Sequence, residues 1–456
     1  MTLSEILARQ RRYFAAGRTL DTQGRINNLR RLRCGITAMQ AQLTEALRLD
    51  LGKGKTESYL TEIGMALDEL SYQERHLAGF SKPRRVATPL SQMPASSWEI
   101  PEPMGSVLIL SPWNYPFLLS IGPAIDALAA GCTVVIKPSE LAVHTSAAVE
   151  QLLRSCLPPE LATVVPGGIE QAQALLEQKF DLIFYTGSAR VGRLVLERAA
   201  RRLTPVILEL GGKSPCIVDQ GTNLAAVARR IVFGKLLNAG QTCVAPDYIL
   251  VRRGMREALV RELGRAVKSA LGNDPLGSAD YPRIIDRAHF DRLVRLIGSG
   301  EVLFGGQSDP ETLRIAPTLL GGVTFSSPVM QEEIFGPILP ILEVGTLEEA
   351  FALVNAGPRP LAAYLFTKNA KAARRFTREV QFGGGCVNDT VVQLANPNLG
   401  FGGVGDSGMG SYHGKRGFDA FTHDKAVVHR AFWPDFSLRY RPYTDEKLRK
   451  IKLFLR

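Results

Sequence analysis

The chain has 456 residues, 45% of them hydrophobic and 22% charged, which allows two or three domains with large cores and excludes wholesale disorder. A formal charge of +11 would suit a nucleic-acid or membrane surface, but no basic stretch interleaved with aromatics accompanies it, so no nucleic-acid partner is expected. Six widely spaced cysteines with no C-x-x-C pair, behind an N-terminus with no apolar run, point to reduced thiols and a cytoplasmic protein.

Helical periodicity fills the first 80 residues and predicts helices over 4–16, with Ser4 as the cap, 22–50 and 57–78, with a break at Leu51-Gly-Lys-Gly54. Residues 82–103 turn proline- and serine-rich and read as an extended arm, an edge strand offered to a neighbour. From 105 onward, short apolar runs at 107–110, 133–136, 162–165, 181–184 and 206–208 alternate with helix-compatible segments. That pattern predicts a parallel sheet covered on both faces, with ligands at the carboxyl ends of its strands. Tyr115 to Ile136 has the length of a membrane span and one charge, Asp126, but Pro116, Gly122, Pro123 and Gly131 interrupt it. It reads as a buried helix followed by a buried strand, and no integral membrane segment is expected.

A second alternating set, at 215–218, 248–251, 338–342, 362–366 and 385–388, predicts a second α/β domain beginning near Gly211-Gly212. The glycine-rich stretch 400–410 suits a closely packed backbone crossing between domains. The tail from Lys447 to Arg456 is short, basic and amphipathic; docking on its own subunit is favoured over contact with an anionic membrane.

Candidate chemistry gathers at strand ends. Cys243, in Asn238-Ala-Gly-Gln-Thr-Cys243, follows a glycine that lets backbone approach a ligand; it is either a nucleophile whose thiolate is held by backbone dipoles or, as such a stretch more often implies by itself, a buried small residue. Glu209 closes the run Val206-Ile-Leu-Glu209 ahead of two glycines. Burial there would raise its pKa toward that of a general base, the alternative being a structural pair with Lys213. Asn114, in Pro112-Trp-Asn-Tyr-Pro116, is either an oxyanion donor or an Asx turn. Thr186-Gly-Ser-Ala-Arg-Val-Gly192 follows a strand and opens a helix, which makes Thr186, Gly187, Ser188 and Gly192 a candidate phosphate loop without the G-x-G-x-x-G spacing. Lys137 and Glu140, after another strand, are placed to meet ribose hydroxyls. The six histidines form no metal spacing, and no metal is expected.

Taken in order, Pro112–Pro116, Lys137-Pro-Ser-Glu140, Thr186-Gly-Ser188, Glu209-Leu-Gly-Gly212, Gly240-Gln-Thr-Cys243 and Glu332-Glu-Ile-Phe-Gly-Pro337 resemble the aldehyde dehydrogenase superfamily. The short N-terminus, Val387-Asn-Asp-Thr390, the stretch 401–414 and Arg441-Pro-Tyr-Thr-Asp-Glu-Lys447 resemble its class 3 branch of fatty, aromatic and coniferyl aldehyde dehydrogenases. The resemblance implies NAD(P)-dependent oxidation of an aldehyde to a carboxylic acid, through a cysteine thiohemiacetal and thioester. It implies Cys243 as nucleophile, Asn114 as oxyanion donor and Glu209 as the base for the hydrolytic water. Glu333 would hold the nicotinamide ribose and is the rival base, and Phe335 would pack on the nicotinamide. Lys137, Glu140, Thr186, Gly187, Ser188 and Gly192 would bind the rest of NAD, with NADP also admissible. The implied architecture is a Rossmann-like NAD(P)-binding domain (1–81 and 104–210), an α/β catalytic domain (211–398) and a small β oligomerisation arm with the tail (82–103 and 399–456), assembled as a homodimer. A CoA-acylating or reductive relative is the enzymatic alternative, and a non-catalytic structural homologue the other.

Overall fold

The computed structural model describes residues 2–455, and of Phe454 only the backbone; Met1 and Arg456, the ends of the expected segments, lie outside them. Helix α1 (Leu3–Ala15) starts one residue earlier than expected, because Thr2 rather than Ser4 caps it in a reciprocal box with Glu5. The long second helix is two, α2 (Thr22–Ala38) and α3 (Gln40–Leu51), separated at Met39. α3 stops at Gly52, whose φ of 71° supplies a left-handed cap. After the short α4 (Lys55–Ser58), residues Tyr59–Ile63 form a π-turn that runs directly into α5 (Gly64–Phe80). Residues 57–78 are therefore helical as expected, with a wider turn inserted that periodicity does not reveal.

The expected arm contains β1 (Arg84–Val86) and β2 (Ala95–Pro103). It is not a free edge: β2 is the centre of a three-stranded antiparallel sheet, flanked by β1 and a strand absent from the sequence reading, Thr422–Arg430. Next come β3 (Ser106–Leu110), α6 (Leu118–Ala130), β4 (Thr133–Lys137), β5 (Ala162–Val164), β6 (Leu182–Thr186) and β7 (Val206–Glu209). These strands pair in parallel in the order β7-β6-β3-β4-β5. The 115–136 segment is α6 followed by β4, buried nearly throughout.

Because β3 is first in the chain and lies between β4 and β6, the winding reverses between β3 and β6, where such sheets open a crevice at their carboxyl ends. Asn114 follows β3 there, and Thr186 ends β6 with Gly187 and Ser188 just beyond it.

The second sheet holds β8 (Pro215–Val218), β9 (Tyr248–Arg252), β10 (Glu301–Phe304), β13 (Thr318–Gly321), β14 (Ile338–Val344), β15 (Ala362–Phe366) and β16 (Gly384–Val387); β11 (Ser308–Asp309) and β12 (Arg314–Ile315) form a separate ribbon. Its order is β10-β13-β14-β9-β8-β15-β16, with only β10 antiparallel to its neighbour. β10 and β13 lie in a stretch that shows no clean apolar alternation, and the sequence reading missed them. The glycine-rich segment then returns to the first sheet. β17 (Gly408–Met409) pairs antiparallel with β7, Gly408 opposite Glu209, and β18 (Thr422–Arg430) closes the arm. A Cβ at Gly402, Gly403 or Gly408 would run into backbone, which is why this crossing is built of glycine.

The tail forms a helix, Asp445–Phe454, that is largely exposed and touches the preceding turn at Ser437–Arg439. Among the described residues no helix is long and apolar enough to cross a membrane, and no group of three or more His, Cys, Asp or Glu could hold a metal ion.

Candidate active site

Cys243 sits just beyond a strained turn. The helix Leu224–Leu236 ends in Leu237–Gly240, where Asn238, Ala239 and Gly240 have φ of 50°, 52° and 76°. Left-handed backbone at non-glycine residues costs on the order of 1–2 kcal/mol each and persists only where the surroundings impose it. Here the ties are explicit. The Asn238 N–H donates to Glu57 Oε1 (2.6 Å) and its side-chain amide to the Asn114 carbonyl (2.7 Å). Gln241 donates to the Asn238 and Arg283 carbonyls (3.0 Å each) and accepts from the Ile285 N–H (3.0 Å). Thr242 and Tyr115 hydroxyls meet at 2.6 Å. At Gly240 a Cβ would strike the Gly336 carbonyl. Asn238, Gly240, Gln241 and Thr242 thus each have a structural reason, and the result is a fixed platform for the next residue.

The Cys243 thiol faces the N–H groups of Cys243 and Val244, which favour its thiolate. Burial outweighs them, and with the nearby carboxylates of Glu333 and Glu209 it pushes the thiol pKa upward. Asn114, 3% exposed, spends one amide hydrogen on the Gln241 carbonyl (3.0 Å), leaving the other for a ligand.

Glu209 is 2% exposed at the end of β7, and neither carboxyl oxygen has a hydrogen-bond partner. Desolvation alone raises its pKa well above the carboxylate range. The pairing with Lys213 does not occur: Lys213 Nζ is held by Asp247 (2.5 Å) and by the Val329 and Glu332 carbonyls (3.0 and 2.9 Å). Glu333 is raised to about 8, by burial first and then by the Asp247 charge, against the Gly212 N–H and the cations Lys213 and Arg292. Its Oε1 has no partner, and a Cβ on Gly211 would overlap its carboxylate. Phe335, at φ 52°, packs edge-on against Trp113 with ring centres 5.4 Å apart.

Two cavities meet at Cys243. One, of about 240 Å³, is lined by Asn114, Thr186, Gly187, Ser188, Glu209, Glu333 and Phe335, together with Trp113, His289 and Arg292. The other, of about 200 Å³, is lined almost wholly by apolar and aromatic side chains, among them Met65, Leu119, Phe233, Val391, Phe401 and Tyr412. Lys137, Glu140 and Gly192 line neither. Lys137 ends β4, the strand next to β3, and its ammonium donates to Glu140 (2.6 Å), while Gly192 lies in the helix Ala189–Ala200, against Leu210. Ser188 caps that helix, its hydroxyl accepting from the Val191 N–H (3.4 Å).

Sequence reasoning missed the ties around Asn114 (Lys53, Glu57 and Glu62) and gave His289 no place at the site, whereas His413 was open to lining it by the family resemblance. His289 stands 2.7 Å from Asp286 and edge-on to Trp113, and His413 lines the apolar cavity against Tyr412. Only the glycine break around Lys53 gave any signal. A thiol, an amide donor and a desolvated carboxylate on one cavity can attack a carbonyl, hold its oxyanion and hydrolyse the acylated product.

The chain matches the profile of the aldehyde dehydrogenase family over residues 2–427. It is 46% identical to aldehyde dehydrogenase family 3 member H1 of Arabidopsis thaliana, covering 98% of this chain and 94% of that one. It is 44% identical to the 4,4'-diaponeurosporen-aldehyde dehydrogenase of Staphylococcus aureus, covering 97% of each. The solved substrate-bound state of Staphylococcus aureus AldH superposes with a TM-score of 0.98 at 42% identity over 100% of both chains. The NAD+ complex of a Mycobacterium tuberculosis aldehyde dehydrogenase superposes with a TM-score of 0.84 at 29% identity, over 94% of this chain and 90% of that one.

Proposed function

From the premise that the chain belongs to the aldehyde dehydrogenase family, in its class 3 branch, and oxidises an aldehyde to a carboxylic acid with NAD(P), we propose the following division of labour. Cys243 attacks the aldehyde carbon, and Asn114 Nδ2 with the Cys243 N–H stabilises the oxyanion of the thiohemiacetal. Glu209 takes a proton from the water that hydrolyses the thioester. The observation that carries this reading is the position of Cys243 between a polar cavity and an apolar one.

The polar side fits NAD. Thr186 Oγ1 and Glu333 Oε1 are buried oxygens without partners, and the helix start at Ser188 presents free N–H groups to an anion. Bound there, NAD supplies the acceptor for the hydride that leaves the substrate carbon. Thr186, Gly187 and Ser188 would hold its pyrophosphate, Glu333 the nicotinamide ribose and Lys137 with Glu140 the adenosine ribose. Phe335 would flank the nicotinamide, and Gly192 allows close helix–strand packing beneath the loop.

The apolar side favours medium- or long-chain aliphatic or aromatic aldehydes. Sheet membership, and for the helical 1–81 a core shared with the first sheet, support dividing the chain into a cofactor-binding part (1–81 and 104–210), a catalytic part (211–398) and an arm with tail (82–103 and 399–456), with β17 lent from the last to the first. The exposed Phe432 and Trp433 beyond β18 support a homodimer, and six free cysteines support a cytoplasmic setting.

Cys243→Ala should lower aldehyde-dependent NADH formation by at least about a thousandfold while NAD binding stays within about twofold. Turnover near wild type would overturn the mechanism. Initial rates over an aldehyde series of increasing chain length test the substrate class, and a preference for short, polar aldehydes would refute it.

A further inference from the structure

Beneath Asn114 lies a buried ion pair that the catalytic roles above do not use. Lys53 lies between Gly52 and Gly54, and both it and Glu62 have no measurable exposure. The Lys53 ammonium donates to Glu62 Oε1 (2.5 Å) and to the Asn114 carbonyl (3.1 Å), and it stands 3.9 Å from the centre of the Tyr115 ring. Glu62 is delivered by the π-turn Tyr59–Ile63, and its Oε2 accepts the N–H groups of Phe117 (2.9 Å) and Leu118 (3.2 Å) at the start of α6. One ion pair therefore holds both ends of the segment Asn114–Leu118.

Stability does not require this arrangement, since an apolar pair of similar volume commonly packs as well as a buried ion pair or better. An apolar pair could not make directed bonds to the Asn114 carbonyl and to two successive N–H groups. Those bonds, with the Asn238 amide on the same carbonyl, fix the peptide that carries the Asn114 side chain. An oxyanion donor acts only if it is already in place when charge develops, and small displacements are costly.

We propose that Lys53 and Glu62 are positioning residues for the oxyanion donor, acting through the Asn114 main chain. The proposal rests on the reading of Asn114 as that donor. It is tested in the full-length enzyme by stopped-flow NADH formation in a single turnover, with Lys53→Met/Glu62→Gln, Asn114→Ala and all three substitutions together. In Glu62→Gln the side-chain amide retains an acceptor for the Phe117 and Leu118 N–H groups, and the double variant removes both charges of the pair together, while Glu57, which also faces Lys53, keeps its bond from the Asn238 N–H. The double variant should slow the single-turnover rate by about 10- to 100-fold, with aldehyde KM and NAD Kd within about threefold of wild type. In the Asn114→Ala background the same two substitutions should change the rate less than about twofold, because the group they position is gone. A near-wild-type rate in the double variant, or an undiminished loss in the Asn114→Ala background, overturns the proposal. If Asn114→Ala alone leaves the rate unchanged, the underlying reading of Asn114 fails too. Should the double variant not fold, Glu62→Gln alone carries the test, with a loss of about three- to tenfold and the same non-additivity.

Discussion

At the scale of single residues, the site is defined by groups denied their usual partners. A carboxylate such as Glu209, with both oxygens buried and unpaired, is costly to keep charged, so it holds its proton well above the ordinary range. A base works only when deprotonated. Activity should therefore rise with pH, falling about tenfold per unit below the controlling pKa, as a pH–rate profile of kcat would show. Glu209→Gln should slow thioester hydrolysis by about 100-fold or more, so that NADH appears in a stoichiometric burst and then stalls. If Glu333→Gln alone produces the stall, the base assignment moves to Glu333. Stability follows the same protons. Glu333 is raised to about 8 in the folded chain, against roughly 4.3 for an unperturbed Glu, so between those values the folded state holds a proton that the unfolded state has lost. Stability contributed by that site falls as pH rises through the window. Glu333→Gln should flatten that part of a plot of denaturant midpoint against pH.

At the scale of elements, catalytic precision comes from turns rather than from the helices and strands that frame them. Gly240 occupies left-handed backbone with no room for a Cβ beside the Gly336 carbonyl. Gly240→Ala should cost at least about 1–2 kcal/mol in denaturant unfolding and lower kcat more than it raises KM, because it displaces the platform under Cys243. The apolar runs at 107–110, 133–136, 206–208, 215–218 and 362–366 announced their strands, because strands buried on both faces need continuous apolar sequence. Cys243, Glu209 and Asn114 each stand where a strand or a glycine turn leads into one cavity, but singly each also admitted a structural reading, and their roles were expected from the motifs taken together. The π-turn Tyr59–Ile63, the break at Met39 and β10 were not legible, since single-turn geometry and short, partly exposed strands leave no periodicity. Nor did sequence reveal that Lys53 and Glu62 pair under Asn114, a contact between distant segments that depends on the completed fold.

At the scale of the whole molecule, two sheets share one cleft, which residues at the carboxyl ends of β3, β6 and β7 line from one side and the loops before β9 and β14 from the other. The stretch beyond β18 lies apart from it and carries two bare aromatic side chains, Phe432 at 103% and Trp433 at 84% exposure. If these are covered in a homodimer, Phe432→Ser/Trp433→Ser should shift the mass measured by light scattering from two chains toward one, with the far-ultraviolet circular dichroism spectrum unchanged. An unaltered mass would place the dimer contact elsewhere.

The pairing of β17 with β7 carries a consequence for how the protein is made. Glu209 and its partner Gly408 are separated by about 200 residues of chain, and the Leu210 N–H waits for the Ser407 carbonyl across the same interval. At ribosomal speeds of roughly 5–20 residues per second, the edge of the first sheet emerges about 10–40 s before the strand that covers it. During that interval the nascent chain presents an open sheet edge ending in the unshielded Glu209 carboxylate, and the site cannot assemble until synthesis is nearly complete. Activity is thereby tied to a finished chain: a ribosome that stalls before residue 407 releases a product that cannot turn over.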